Sequence, residues 1–566
     1  MKRRDFLGPS AAVTGASLMS GFDLNKLWAQ NNPGNSRLRR RIPRTSGVDK
    51  AVERMHTHNF LLVAFVLFAA VSATAQDAST KVIPIPQQPF AEPVPEFIGA
   101  SAFPNPVPAL PVPQSPFMAE NGRSELHVDA YQSDTYFSSG PLGHSPEVNS
   151  TFLAAECGTV TFDKQGRILV VCVGVVQPIL YLLDPVSLET LARFPLPRQG
   201  GGNNFGSGGY FYLDELDRSV IPTRTRDIFR IKEVNVPGGT TLMTDHTCAN
   251  DLPQMIPDDQ SILSVLPDAQ GLLWFTTSGG TDVSAEPAMV GTAQPDPSNI
   301  NHCAVRLYTL PSGEAIVKSF AVDPDPSRGG VFIVSDHRLY RFDAAADGSP
   351  LLTWAEQYDR GVRVKPGQIT QGSGTTPTLM GTEFVTIADN ADPRMHVNVY
   401  RRAAQTNQSR LVCSEPVFKP LRSDTFNSLI ATNRSISVEN NYGYRDPLST
   451  AFGGVTQPGI TRIDLDDDLD SCHTVWTNKE RVPNVVSQVS LVTGLEYTYT
   501  KDHGPDATDA WYFTAIDFHT GETVYKVLAG TGILYNSNYS SVYVGPDGKT
   551  AYVGVIGGLV RIHDTY

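Results

Sequence analysis

From about Ser124 to the C-terminus the chain alternates apolar and polar residues in short runs, each closed by a turn carrying Gly, Asp or Asn. That period of two, with turns between, is the signature of strands covered on one face. In CGTVTFDKQGRILVVCVGVVQPILYLLDPVSLETLARFPLP (Cys157–Pro197) the β-branched alternation breaks at Asp163–Gly166 and the third strand ends in LLDP. WYFTAIDFHTGETVYKV (Trp511–Val527) and SVYVGPDGKTAYVGVIGGLVRIHD (Ser541–Asp564) repeat the scheme. Strands such as LYLLD, IFRI, RLYTL, LYRFD, NVYRR, ITRIDL, AIDF and LVRIHD close successive repeats, as the third strand of a four-stranded blade would. One blade cannot bury both faces alone, so repeats of this kind stack around an axis. The pattern predicts an all-β chain forming a single β-propeller of seven or eight four-stranded blades over residues 123–566. Eight repeats give about 55 residues per blade, slightly above the usual 40–50; seven, with a long insertion at Thr281–Ser298, also fit.

The region before the repeats reads differently. Residues 1–75 carry a net charge of +7, whereas the remainder carries −20 within the chain total of −13. Met1–Gly8, MKRRDFLG, has the form of a twin-arginine export signal. A second, Sec-like core spans residues 60–75, FLLVAFVLFAAVSATA, behind a basic stretch and ending in a small-x-small site before Gln76. It is shorter than the roughly 20 residues of a membrane span. Two signals in series are explained by translation starting at Met55, or by an uncleaved anchor. Either way the body is expected outside the cytoplasm, periplasmic or extracellular, with no membrane span in the mature form. Residues 76–122 hold eleven prolines between Pro84 and Pro116, the composition of an extended stalk or of a strap laid across a domain.

An acidic body argues against nucleic acid as a partner. The partner expected instead is a small molecule or protein at the channel mouth of a monomer. The six cysteines, Cys157, Cys172, Cys248, Cys303, Cys413 and Cys472, form no C-x-x-C or Cys/His cluster. In an exported chain an even count reads as up to three disulfides. Cys157 and Cys172, separated by one hairpin, are the best-defined pair.

The segment Ala515-Ile516-Asp517-Phe518-His519-Thr520-Gly521-Glu522-Thr523-Val524-Tyr525 resembles the A-x-D-x-x-T-G-x-x-x-W motif of quinoprotein-like (PQQ-like) propellers, with Tyr525 in place of the final Trp. The phrases Ser373–Gly381, Thr386–Pro393 and Val438–Asp446 are also similar to uncharacterised exported proteins of that group. The resemblance implies a Trp docked between blades and a turn shaped by the Asp and Thr-Gly. It implies fold rather than chemistry. The group's enzymes would need a Ca²⁺ site, an Asp base and a Trp platform, often with adjacent cysteines. No adjacent cysteines exist here, and none of Trp274, Trp354, Trp476 and Trp511 sits in a platform phrase. PQQ is therefore not expected.

Two phrases are too polar for blade strands. ADNADP offers Asp389, Asn390 and Asp392, and VENNYGYRD offers Glu439 and Asn440. Carboxylates with amide oxygens suit a hard cation such as Ca²⁺, although Asn and Asp also cap turns through their own backbone. In HVDAYQSDTY, residues His127, Asp129 and Asp134 are expected on one face of an inner strand, where His127 and Asp129 could act as a base or metal ligands. No nucleophile elbow, P-loop or dinucleotide fingerprint is present. The sequence thus points to an exported binding module. The alternative is an oxidoreductase or hydrolase with a Ca²⁺- or PQQ-dependent site in the channel.

Overall fold

The computed structural model describes residues 82–566 apart from 175, 199–208 and 282–284. The export signals expected within 1–75 lie outside the described residues. Strands dominate, and the few helical turns are of three or four residues. The strands group into eight sheets, antiparallel except where Thr135–Tyr136 runs parallel beside Gln488–Ser490, which settles the blade number at eight.

Blade 1 comprises Ala155–Phe162, Ile168–Gly174, Pro178–Leu183 and Thr190–Pro195. Blades 2 to 6 run from Tyr212–Leu213 to Gly239–Thr247, from Ile262–Pro267 to Cys303–Thr309, from Ala321–Val322 to Pro350–Gln357, from Thr378–Met380 to Leu411–Pro416, and from Ile430–Ala431 to Cys472–Asn478. Blade 7 is built on Gln488–Ser490, Leu495–Thr500, Ala510–Asp517 and Thr523–Thr531. Blade 8 takes three strands from the C-terminus, Val542–Val544, Thr550–Val555 and Gly558–Asp564, and its outermost, Pro146–Phe152, from before blade 1. That strand pairs Phe152 with Gly558 and Pro146 with Asp564, so backbone hydrogen bonds close the ring.

The lower-face turns between first and second strands follow one chemical plan. Asp163, Asp214 and Asp268 each accept two backbone N–H groups of their own turn. Each turn then passes through a left-handed residue, Gly166 (φ +76), Asp217 (φ +60) or Gly271 (φ +83). An Asx turn of this type re-aims the chain at little cost. Apolar residues of alternate register fill the spaces between blades; Leu169, Val171, Leu180 and Leu182 of blade 1 pack with Leu213 and Ile221 of blade 2.

All three disulfides form: Cys157–Cys172, Cys248–Cys303 and Cys413–Cys472. The first joins paired strands within blade 1. The other two staple neighbours, blade 2 to blade 3 and blade 5 to blade 6. Residues 82–122 form a strap. It pairs Phe97–Gly99 with the outer strand of blade 7, and its Asn105 and Val107 amides bond to Thr493 and Leu491 on the lower face.

Candidate functional site

The strap leads into the channel. Residues 124–136 are all buried, and their backbone serves the inner strands in turn. Arg123 O accepts from Phe162 N (3.1 Å), Ser124 O from Leu213 N (2.8 Å), Ala130 O from Val322 N (2.8 Å), Tyr131 O from Leu379 N (2.9 Å), Ser133 O from Ala431 N (2.9 Å) and Asp134 O from Val489 N (3.0 Å). Each donor lies where an inner strand meets its lower turn. The segment therefore plugs the lower end of the channel.

This corrects the expectation of an inner strand carrying His127, Asp129 and Asp134 on one face. Only Thr135–Tyr136 is strand. Before it the chain coils through positive φ at Val128, Gln132 and Asp134, because its carbonyls must face several blades in succession. His127 and Asp134 are still brought together, Nδ1 lying 3.1 Å from Oδ1. Asp129 is turned away and accepts from Tyr131 N (3.0 Å), Ser133 N (3.2 Å) and Ser133 Oγ (2.5 Å). Burial drives its pKa up to about 7, pushes Glu125 and Asp134 well above the carboxylate range, and holds His127 well below the usual imidazole value, with Lys318 adding to the effect.

Above the plug, the His127 ring stands against Thr376 Oγ1 (3.4 Å) and Ser428 Oγ (3.2 Å) through Nε2. Tyr210 stacks over it at 6.0 Å. Next comes Lys318, whose Nζ lies 3.5 Å from the Phe426 ring centre and 5.4 Å from that of Tyr539. Lys318 belongs to the loop before blade 4, Phe426 to that before blade 6, Tyr539 to that before blade 8 and Tyr210 to that before blade 2. Side chains from opposite sides of a ring meet only near its axis, so this is the upper mouth of the channel. Lys318 is 4% exposed, and burial lowers its ammonium pKa well below the ordinary value with no opposing partner. Tyr210, Tyr539 and Glu156 keep partial exposure there; burial raises Glu156 to about 8, against a hydrogen bond from Asn538. Sequence reasoning missed Lys318. Its only signal is a lone Lys inside the apolar run AIVKSF (Ala315–Phe320).

The two polar phrases follow the second strands of blades 5 and 6; ADNADP leaves its strand at Ala388, whereas Glu439, expected outside the blade strands, is the last residue of Ser435–Glu439. Asp389 is spent on its own turn, accepting from Ala391 N (3.1 Å), His396 N (2.7 Å) and His396 Nδ1 (2.9 Å). Asn390 donates to Arg360 O (2.9 Å) and Arg363 O (3.0 Å), and Asn440 to Arg422 O (3.0 Å) and Pro458 O (3.2 Å). Glu439 faces blade 7, taking Ser487 N (3.0 Å), Ser487 Oγ and Asn427 Nδ2 (2.9 Å); burial raises it to about 7. Asp389 and Glu439 thus spend their oxygens on separate partners, Asp389 on its own turn and Glu439 on Ser487 and Asn427. Asp392 differs, since neither of its buried oxygens has a hydrogen-bond donor and Arg363 stands 3.6 Å away. Asp424, which the sequence did not single out, is equally without donors and is pushed well above the carboxylate range by burial, moderated by Lys365 and Arg363. Lys365, donating to Ala391 O at 2.6 Å, senses Asp392, Asp424 and Asp389 together. Among the described residues one His/Cys group has metal-binding proximity, His246 with Cys248 and Cys303, but its two sulfurs are bonded to each other.

No family model matches the chain. An uncharacterized protein of Archaeoglobus fulgidus is 26% identical over 378 residues, covering 61% of this chain and 69% of that protein. Among solved structures, the WD40 domain of SCAP from fission yeast aligns over 74% of this chain and 98% of its own, at 10% identity and TM-score 0.42. Chaetomium thermophilum Sqt1, bound to the N-terminus of ribosomal protein L10, aligns over 79% and 98%, at 10% identity and TM-score 0.38. The chain itself is an eight-bladed β-propeller. Among the described residues no helix is long and apolar enough to cross a membrane.

Proposed function

We infer that this propeller is an exported binding module that takes its ligand at the upper mouth of a channel closed below by its own chain. The observation that carries this reading is the convergence of Lys318, Phe426, Tyr539 and Tyr210 from four separate loops onto the axis. Loops held on a rigid scaffold are where propellers and other folds place recognition. Export is supported by three disulfides and by the Sec-like core preceding Gln76; N-terminal sequencing of protein from the exported fraction is expected to begin near Gln76. Kinship with the PQQ-like group finds support in the docking of Trp476 on the Thr520-Gly521 turn, where its Nε1 donates to Phe518 O at 3.0 Å, and of Tyr525 beside Gly143, its hydroxyl donating to Pro141 O at 2.7 Å. The test is a screen of ligand classes by thermal shift, with hydrogen exchange read at residues 315–320, 424–428 and 536–541. Protection of those loops by one class supports the reading. Protection confined to other faces, or none, overturns it.

A second reading, a hard cation at the blade 5–6 loops, is favoured by the donor-free oxygens of Asp392 and Asp424. The Oδ1 of Asn390, also without a donor, would complete an oxygen set of the kind Ca²⁺ takes. A Ca²⁺-dependent oxidoreductase or hydrolase would need this set rather than Asp389 and Glu439. Lys365 competes by supplying positive charge to the same carboxylates. If the cation binds, millimolar Ca²⁺ raises the melting temperature, worth about 2.7 kcal/mol at a hundredfold excess over Kd, and Asp424→Asn removes the rise. A melting curve indifferent to Ca²⁺ and chelator rejects this reading.

A further inference from the structure

We propose that Lys318 anchors a small organic carboxylate, whose aromatic or apolar body rests against the wall formed by Phe426, Tyr539 and Tyr210. The inference deepens the mouth-binding reading and rests on it. A buried ammonium is tolerated when it is paired or hydrogen-bonded. Lys318 is 4% exposed and makes no ion pair or hydrogen bond among the described residues; its ammonium sits against two aromatic faces, at 3.5 and 5.4 Å. Cation–π attraction offsets only part of the lost hydration. The remainder is what an anionic ligand would restore.

The surroundings narrow the class. Among the described residues Lys318 is the cation set against the Phe426 and Tyr539 rings, and the groups bearing on Tyr210 include Tyr539 and the plug carboxyls Asp134 and Glu125. A single ammonium matches a monoanion better than a phosphate dianion, which typically recruits several cationic groups or a nest of backbone amides. The hydroxyls of Ser428 and Thr376, set on His127 below, are of the type that hydrogen-bond a carboxylate oxygen. The aromatic faces call for a ligand with an apolar body. Glu156, one of the carboxyls that bear on Tyr539, is pushed toward its neutral form by burial, which lessens its repulsion of an incoming anion.

The test uses the full chain with benzoate, its neutral counterpart benzamide, acetate and inorganic phosphate as probes. Benzoate is expected to raise the melting temperature saturably, more than acetate, with benzamide and phosphate ineffective. Lys318→Met, close in shape and free of the unpaired charge, is expected to melt above wild type without ligand and to lose the benzoate response. Equal responses to benzoate and benzamide, a Lys318-dependent response to phosphate alone, or an undiminished benzoate response in Lys318→Met would overturn the proposal. So would a Lys318→Met protein that melts well below wild type, since that marks a purely structural lysine. Should the variant not fold, amine acylation of wild type, read at Lys318 by peptide mass spectrometry, replaces it: benzoate should slow labelling several-fold, and unchanged labelling refutes the anchor. If neutral ligands protect the mouth while carboxylates do not, the carboxylate assignment falls and the mouth-binding reading stands.

Discussion

Glu439 shows how a single side chain ties the ring to pH. It lies 3% exposed between blades 6 and 7, and burial raises its pKa to about 7. A carboxyl raised in the folded state contributes stability that is fully present below its unfolded pKa, near 4.5, and is lost as pH rises through about 7. Glu496 of blade 7, raised to about 8 by burial and bonded by Ser437 Oγ at 2.9 Å, follows the same rule. Glu439→Gln mimics the protonated acid; Asn427, whose Oδ1 lacks a donor, can turn its amide to accept the new N–H. Wild type is therefore expected to lose about 3 kcal/mol relative to Glu439→Gln between pH 4.5 and pH 8. Denaturant melts of both proteins across that range measure the difference. Parallel curves would show that folding leaves the pKa of this carboxyl unshifted.

At the scale of elements, blades hold to one another through outer-edge staples as well as through their apolar faces. Cys413 and Cys472 lie on the outer strands of blades 5 and 6 and close a loop of 59 residues. A cross-link over that length removes unfolded-state entropy worth about 4 kcal/mol in the chain-entropy picture. The paired variant Cys413→Ser/Cys472→Ser should lose roughly 2–4 kcal/mol in an equilibrium melt, while leaving the Cys157–Cys172 hairpin bond intact by mass spectrometry. A loss below about 1 kcal/mol would mean that the blade 5–6 interface is fixed by packing alone.

For the whole molecule the decisive feature is that the chain before blade 1 both fills and closes the ring. Leu126, Val128, Ala130, Tyr131 and Tyr136 of the plug are each at most 3% exposed, and Pro146–Phe152 supplies the last strand of blade 8. Burying large apolar side chains is worth roughly 1.5–3 kcal/mol each before the entropy of ordering the segment is subtracted, and removing them would leave the inner strands' apolar ends exposed to water. A chain starting at Val82 should melt cooperatively near the full-length temperature. A chain starting at Phe137, lacking the plug but keeping the closing strand, should be expanded or unfolded by circular dichroism. A compact, cooperative Phe137 truncation would show that the plug fills the channel without stabilising it.

The sequence by itself determined the blades. Alternation along Ile168–Leu183 or Trp511–Val527 is a local property, fixed by the period of two and by turn residues such as Asp163 and Gly166, and needs no knowledge of neighbours. The hairpin pair Cys157–Cys172 was legible for the same reason. The Asp389 turn was readable too, since an Asx cap bonds within a few residues of itself. What only the tertiary structure decided are the features that depend on distant segments meeting. HVDAYQSDTY alternates well enough to pass for a strand, yet coils into a plug because its carbonyls must serve six blades, from Phe162 to Val489. Lys318 gave one weak local signal, and its setting is made by Phe426 and Tyr539, 108 and 221 positions further along the chain. Asp424 owes its electrostatic setting to Arg363 and Lys365, some 60 positions earlier in the loop before blade 5. A ring fold places residues near its axis by closure rather than by spacing, so the chemistry of its mouth is written in three dimensions while its strands are written in one.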